Sequence, residues 1–111
     1  GCTATFTPAI ASVALVFGIF GCINMSTADI YAGILDVDGV NQTQQVHLSD
    51  VGSAGLGAER QMGTQVWVVP LTAASHTLKL QSFRVTGAGS ATFQDNLNNI
   101  VIILLGDNNS S

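Results

Sequence analysis

The sequence predicts an all-β protein, with eight antiparallel strands packed as a two-sheet sandwich. Three observations carry this. No stretch of the 111 residues shows a helical period of apolar residues with caps at its ends. Runs rich in β-branched residues are separated by glycine-containing turn signals about every dozen residues. Three of these runs, Val13–Ile23, Val66–Val69 and Ile100–Leu105, are apolar at both alternating positions. A strand in a sandwich needs only one apolar face, so a second one requires a cover. In a chain this short the expected cover is another subunit.

Each strand follows from local chemistry. The first, Thr3–Thr7, ends at Pro8, which has no N–H to give to a ladder. The second is Ser12–Ile23. The surrounding run Ala9–Met25 is shorter than the ~20 residues of a membrane helix, contains Ser12, Gly18, Gly21 and Asn24, and lacks basic flanks. With no basic residues ahead of it, it does not read as a signal peptide either. The third strand, Ile30–Val37, runs into Asp38-Gly39, a favoured two-residue hairpin turn, and the fourth, Gln42–Leu48, returns from it. The fifth is Gln65–Pro70 and the sixth His76–Val85. Within the sixth, Leu78 and Leu80 share one parity, but beyond Ser82 the apolar role passes to Phe83 and Val85 on the other. That switch predicts a bulge, or a change from core-facing to partner-facing contacts. The seventh strand is Ala91–Gln94, after the Gly-rich turn at 87–89, and the eighth is Asn99–Leu105, ending at Gly106-Asp107.

Between the fourth and fifth strands lies the longest irregular stretch, Ser49–Thr64, with glycine at 52, 55, 57 and 63. Loops beyond ~12–15 residues are often functional. This one reads equally as a crossover or as a binding loop. In the second reading Leu56 and Met62 dock on a neighbour and Glu59 or Arg60 supplies polar contacts.

Eight antiparallel strands in one domain spanning residues 1–111 is the size of a minimal jelly roll, whose two sheets close face to face. An immunoglobulin-like sandwich is the alternative. Against it, Trp67 follows both cysteines instead of lying between them.

Composition narrows the function. Charged residues make up 9% of the chain, against about 25% in ordinary soluble domains, while 47% are hydrophobic. Arg60, Lys79 and Arg84 are the only basic side chains, so the usual solubilising surface is missing. A net charge of −4 without a basic stripe argues against nucleic-acid binding. No membrane partner is expected. Two cysteines, Cys2 and Cys22, suit neither a disulfide-dense scaffold nor a zinc site. A bridge between them needs the first two strands to turn near Ser12, since a turn at Pro8–Ala9 puts them out of register. Free thiols are the preferred reading, and the redox compartment stays open.

No motif carries chemistry. Asp36-Val37-Asp38-Gly39 opens like a calcium loop, but Val40 and Asn41 break the ligand pattern that must follow. Leu35 and Val37 are expected to point inward, leaving Asp36 and Asp38 on the wet side of a turn. His47 and His76 are the only histidines, and no G-x-S-x-G elbow accompanies them. The segments 52–55 and 87–89 are fragments of phosphate loops without the Lys or the helix that such a loop needs. The expectation is a protein without catalytic, metal or cofactor-binding residues, and not an enzyme.

The segment Val69-Pro-Leu-Thr-Ala-Ala-Ser-His-Thr-Leu-Lys-Leu-Gln81, then Gly87-Ala-Gly-Ser-Ala-Thr-Phe93 and Asn99-Ile-Val-Ile-Ile-Leu-Leu105, resembles the second half of small jelly-roll modules in tailed-phage virion proteins. These are similar to C1q/TNF-like heads. Ala28-Asp-Ile-Tyr-Ala-Gly-Ile-Leu-Asp-Val-Asp-Gly39 fits the same grammar as a strand ending in an Asp-Gly turn. Ala74 stands where a glycine is common in that pattern. The resemblance implies a structural or attachment role in a virion assembled in the host cytoplasm, commonly as a trimer. Two forms are implied: a capsid decoration (cement) protein that binds the major capsid protein or other virion proteins, and a receptor- or carbohydrate-binding fibre tip. The sequence shows no shaft, collagen-like repeat or heptads before its first strand, which makes the decoration protein the expected form. The candidate subunit interface is Phe17, Tyr31, Trp67, Phe83, Val101, Ile103 and Leu105.

Overall fold

The computed structural model describes residues 2–23, 29–49, 60–87, 91–93 and 97–106. These form eight strands: β1 (Thr3–Phe6), β2 (Ser12–Ile23), β3 (Ile30–Val37), β4 (Val40–Ser49), β5 (Arg60–Leu71), β6 (His76–Thr86), β7 (Thr92–Phe93) and β8 (Asn99–Gly106). One sheet has the order β1-β6-β3-β4. In the other, β5 pairs with β2, and the far edge of β2 is shared by β8 and β7. All pairings are antiparallel. The chain is thus an all-β, eight-stranded antiparallel sandwich.

β2 organises the second sheet. All twelve of its residues pair with β5, from Ser12↔Leu71 to Ile23↔Arg60. On its other side β8 pairs from Ser12↔Gly106 to Ile19↔Asn99, and β7 takes up the ladder at Cys22 and Ile23. In the gap between them the Asn98 amide stands in for backbone. Its Oδ1 accepts from Gly21 N at 3.2 Å and its Nδ2 donates to Gly21 O at 3.1 Å.

The core lies between the sheets and follows the period of two expected of strands. Ala14, Val16, Phe20 and Cys22 of β2 face Tyr31 and Leu35 of β3, with Trp67, Val69 and Leu71 of β5, Leu48 of β4 and Leu78 of β6 closing around them. Phe20 meets Trp67 edge to face, with ring centroids 6.4 Å apart. Phe93 of the two-residue β7 is held in the same way against Tyr31 at 5.8 Å. The Trp67 indole N–H donates to Gln44 O at 2.9 Å, so the largest core side chain leaves no polar atom unpaired and ties β5 to β4. Both cysteines are free thiols, with Cys22 buried in the core. Burial raises the Cys22 thiol pKa.

The Asp38-Gly39 turn forms as expected. Both residues have positive φ, 53° and 90°, the backbone of a two-residue turn that follows strand twist. Three local features differ from the expectation. Pairing with the full length of β2 carries β5 back to Arg60, so Arg60 and Met62 belong to a strand and not to the preceding loop. Asp36 is buried rather than wet, and its Oδ1 accepts from Gly39 N at 2.9 Å. In β6 the register with β3 runs unbroken from Tyr31↔Arg84 to Val37↔Leu78, so Ser82 marks no bulge. Phe83 simply faces outward, and the extra residue is Val85, between Arg84 and the Ile30↔Thr86 pair.

Gly33 sits under the Phe20 ring, where an added Cβ would lie 2.6 Å from Phe20 Cγ and Cδ2. Both strands are central in their sheets, so neither can retreat. Gly33→Ala is therefore expected to destabilise the fold by about 1–3 kcal/mol, the usual cost of overpacking. A urea midpoint equal to that of the unaltered protein would show that the sheets are not in this contact.

Candidate functional site

The three stretches with two apolar faces lie side by side in one sheet. Their outward residues align in rows across β5, β2 and β8: Pro70, Val13, Leu105; then Val68, Leu15, Ile103; then Val66, Phe17, Val101. A fourth row, Thr64, Ile19, Asn99, is apolar only at its centre. Met62 extends the surface past Gly21, exposed by half. Val13 is 39% and Val68 65% exposed, with Val66, Val101, Ile103 and Leu105 between, while Leu15, Phe17 and Ile19 on the central strand are half-buried. Apart from Arg60 at the start of β5, the three strands contain no charged residue.

Strand spacing sets the size of this face. Three strands ~4.8 Å apart and about nine residues long give a footprint of roughly 400 Å² before surface relief is counted. That is within or above the ~300–600 Å² of the largest apolar patch on an ordinary monomer. Two such faces brought together would bury on the order of 1,000 Å², where specific interfaces begin.

The outward face of the other sheet is built differently. Its rows read Thr3, Lys79, Asp36, Asn41; then Gln81, Ile34, Gln45; then Phe83, Ala32, His47. Ile34 and Ala32 on the central strand are buried, flanked by longer side chains to either side. This is the polar surface expected of a sandwich sheet facing water. Among the described residues the exposed apolar side chains concentrate on the β5-β2-β8 face, with Ile10, Val40, Phe83 and Val85 exposed singly elsewhere.

The candidate interface residues accordingly separate. Phe17, Val101, Ile103 and Leu105 share the apolar face. Phe83 is exposed on the opposite side of the sandwich, apart from them. Trp67 and Tyr31 are corrections: both are buried core residues, 2% and 6% exposed, and cannot make a subunit contact. Strand parity turns both inward. Val13, Leu15, Val66 and Val68 were missed as individual candidates, although Val13 and Leu15 share the parity of Phe17. Of the candidate loop, Leu56 and Glu59 lie outside the described residues, as does the side chain of Arg60, while Met62 joins the apolar face.

Titratable groups gather elsewhere. At the β3–β4 turn, Asp38 Oδ2 lies 2.6 Å from His76 Nδ1, Oδ1 accepts from Thr77 N at 2.7 Å, and Asp38 N donates to Thr77 O at 2.9 Å. The other ring nitrogen of His76 is 3.0 Å from Thr72 O. With an acceptor at each nitrogen the ring is suited to the doubly protonated form. The bond to Asp38, then that to Thr72, raises the His76 pKa. The bond from His76, then that from Thr77, lowers that of Asp38. The Thr72 hydroxyl also lies 3.2 Å from His76 Nε2, and together these contacts clasp the hairpin turn to the start of β6. At the other end of the sandwich, the Tyr31 hydroxyl donates to Asp29 Oδ2 at 3.4 Å. Burial first, then the Asp29 carboxylate, raises the Tyr31 pKa. Among the described residues no three His, Cys, Asp or Glu side chains gather as a metal site. A cavity of about 80 Å³, lined in part by Cys2, Phe20, Leu80 and Phe93, has room for a few waters.

No protein-family model, curated protein or solved structure matches this chain.

The clasp gives stability a pH dependence whose sign is fixed. A raised histidine pKa stabilises the fold below the ordinary value of 6.5, and this is lost as pH rises through the higher folded value. A lowered aspartate pKa stabilises above 3.8, and this is lost as pH falls through the lower folded value. The clasp is whole between those two ordinary values. Because the pair lies at the surface, the effect is small. The denaturant midpoint is expected to fall as pH rises above the ordinary histidine value of 6.5, and less so in His76→Gln. An identical pH slope in both proteins would show that the clasp does not form.

Proposed function

We propose that the protein is a non-enzymatic virion structural module, a capsid decoration protein that assembles with copies of itself and stabilises a phage shell. The observation that carries the assembly part is the uncharged outer face of β5, β2 and β8. Water penalises that surface, and a neighbouring subunit or the shell would relieve it. Obligate interfaces of this kind resemble a domain core cut in half. The virion part rests on the strand-and-turn resemblance of residues 28–39, 69–81, 87–93 and 99–105 to small phage jelly-roll modules. The alternative, a carbohydrate-binding head, loses support because Trp67 and Tyr31, the aromatics on which a sugar would stack, are inside the sandwich.

Two measurements test this. Mass spectrometry of purified virus particles should find the protein at high copy number, and particles stripped of it should lose their contents at lower temperature. Its absence from intact particles would refute the virion role. Light scattering on the isolated protein should give a mass of several chains, and a stable monomer at all concentrations would refute assembly. Val68→Asp places a carboxylate on the most exposed part of the face. It should change folding stability by no more than ~0.5 kcal/mol, as surface substitutions do. It should weaken assembly by at least about tenfold, because the charge would be buried unpaired.

A further inference from the structure

The four outer strands of the two sheets are not equally protected against pairing with another chain. β1 is four residues long and is followed by Pro8. β4 carries Asn41, Gln42, Thr43, Gln44, Gln45 and His47. β5 contains Pro70 near one end and Arg60 at the other. β8 has none of these devices. Its eight residues, NIVIILLG, include no charge and no proline. It pairs only with β2 among the described residues.

β8 is also apolar on both sides, with Ile100 and Ile102 packed against the core. Val101, Ile103 and Leu105 are exposed on the outer face, and Leu104, of the opposite parity, is 42% exposed at the margin of the sandwich. Natural sheets blunt such edges with charge, proline, bulges or short strands, because a bare apolar edge recruits another strand.

From this we infer that β8 is a strand-pairing edge whose partner is β8 of a second copy, joined antiparallel about a two-fold axis. The inference rests on the assembly reading above and adds the contact that begins it. The chain itself supplies the matching strand. In the two-fold antiparallel registers centred on Ile102 or Ile103, which align the faces, residues 100–105 meet apolar residues except Leu105 opposite Asn99 in the first and Ile100 opposite Gly106 in the second, and no charges oppose. The joined sheet runs β5-β2-β8 and on through β8-β2-β5 of the copy. Its two outer apolar faces become one continuous surface of about twice the area, roughly 800 Å² in footprint. A two-fold contact builds assemblies of even copy number, in place of the three chains that the family resemblance implies.

Leu104→Lys and Val68→Asp, compared with the unaltered protein by sedimentation velocity, test this. A lysine on an edge strand is how natural sheets prevent pairing, while Val68 lies two strands away from the β8 edge. The expected result is an even number of chains for the unaltered protein. Leu104→Lys should keep its β-sheet circular dichroism but lose the two-chain unit, and Val68→Asp should fall to two chains and no further. A trimer for the unaltered protein, or an undiminished mass for folded Leu104→Lys, would overturn edge pairing while leaving assembly through the outer face intact. A monomer at every concentration would overturn both. Should Leu104→Lys fail to fold, amide exchange across residues 99–106 of the unaltered protein decides. Protection that grows with concentration supports the pairing, and exchange independent of concentration refutes it.

Discussion

The ladder between β2 and its neighbours is the constraint from which the rest of the structure follows. A twelve-residue strand paired over its whole length on one side, and over most of it on the other, has its register fixed. Once the register is fixed, parity decides everything else about the sheet. Even-numbered residues of β2 go to the core and odd-numbered residues face away from it. Because both sets are apolar, the strand that completes the core also generates the outer face. A one-residue slip would cost little in hydrophobicity, since either face could be buried, so the register must be held by something more specific. Shape does this. Gly18 lies beneath Trp67 and Leu80, and Gly33 across the core lies beneath Phe20. A slipped strand would bring side chains into spaces that only hydrogen fits.

The two sheets meet different demands with the same architecture. In the β1-β6-β3-β4 sheet the central strand carries Ala32, Ile34 and Asp36 outward, and mostly polar Gln, Lys, His and Asn on the neighbouring strands flank them. In the β5-β2-β8 sheet the flanking strands are as apolar as the centre, so no lateral shielding exists. Apart from Arg60 at one end of β5, the three strands of that sheet hold no charged residue. Like-charge repulsion and charge desolvation, the usual obstacles to association, are therefore missing there. The composition, poor in charge but not in Thr, Gln and Asn, is the sum of one ordinary surface and one that is not.

Strands were legible in the sequence because period two and turn chemistry are local. β2 and β3 have the bounds that local reading assigns them, and the Asp38-Gly39 turn has the backbone its residues favour. What could not be read locally was pairing. Residues 60–64, Arg-Gln-Met-Gly-Thr, have no strand-like composition, and they extend β5 only because β2 offers twelve partners. Asp36 looked wet because a carboxylate near a turn normally is, whereas here its oxygen caps Gly39 N from a buried position. The apolar face was legible as a property of three separate runs, but not as one surface, since adjacency of β5, β2 and β8 is a matter of topology. Trp67 and Tyr31, expected at a subunit interface, lie in the core. Large aromatics dominate cores as readily as interfaces, and only parity relative to the paired strands separates the two.

The location of the titratable groups bears on how folding and association are coupled. Asp38 and His76 fasten the β3–β4 turn to β6, within the polar sheet, and Tyr31 with Asp29 sits between the sheets. None of these side chains lies in the outward rows of β5, β2 and β8. A change of pH across the histidine range therefore loosens the hairpin end of the polar sheet while leaving the apolar face uncharged. Salt should likewise have little to screen on that face. Any association through it would be governed by apolar area and by temperature, the levers of the hydrophobic effect. Fold stability, by contrast, carries a pH-sensitive component from the clasp. In this molecule the Asp38–His76 clasp and the outer apolar face belong to different sheets, so each can be altered by mutation with the other left in place.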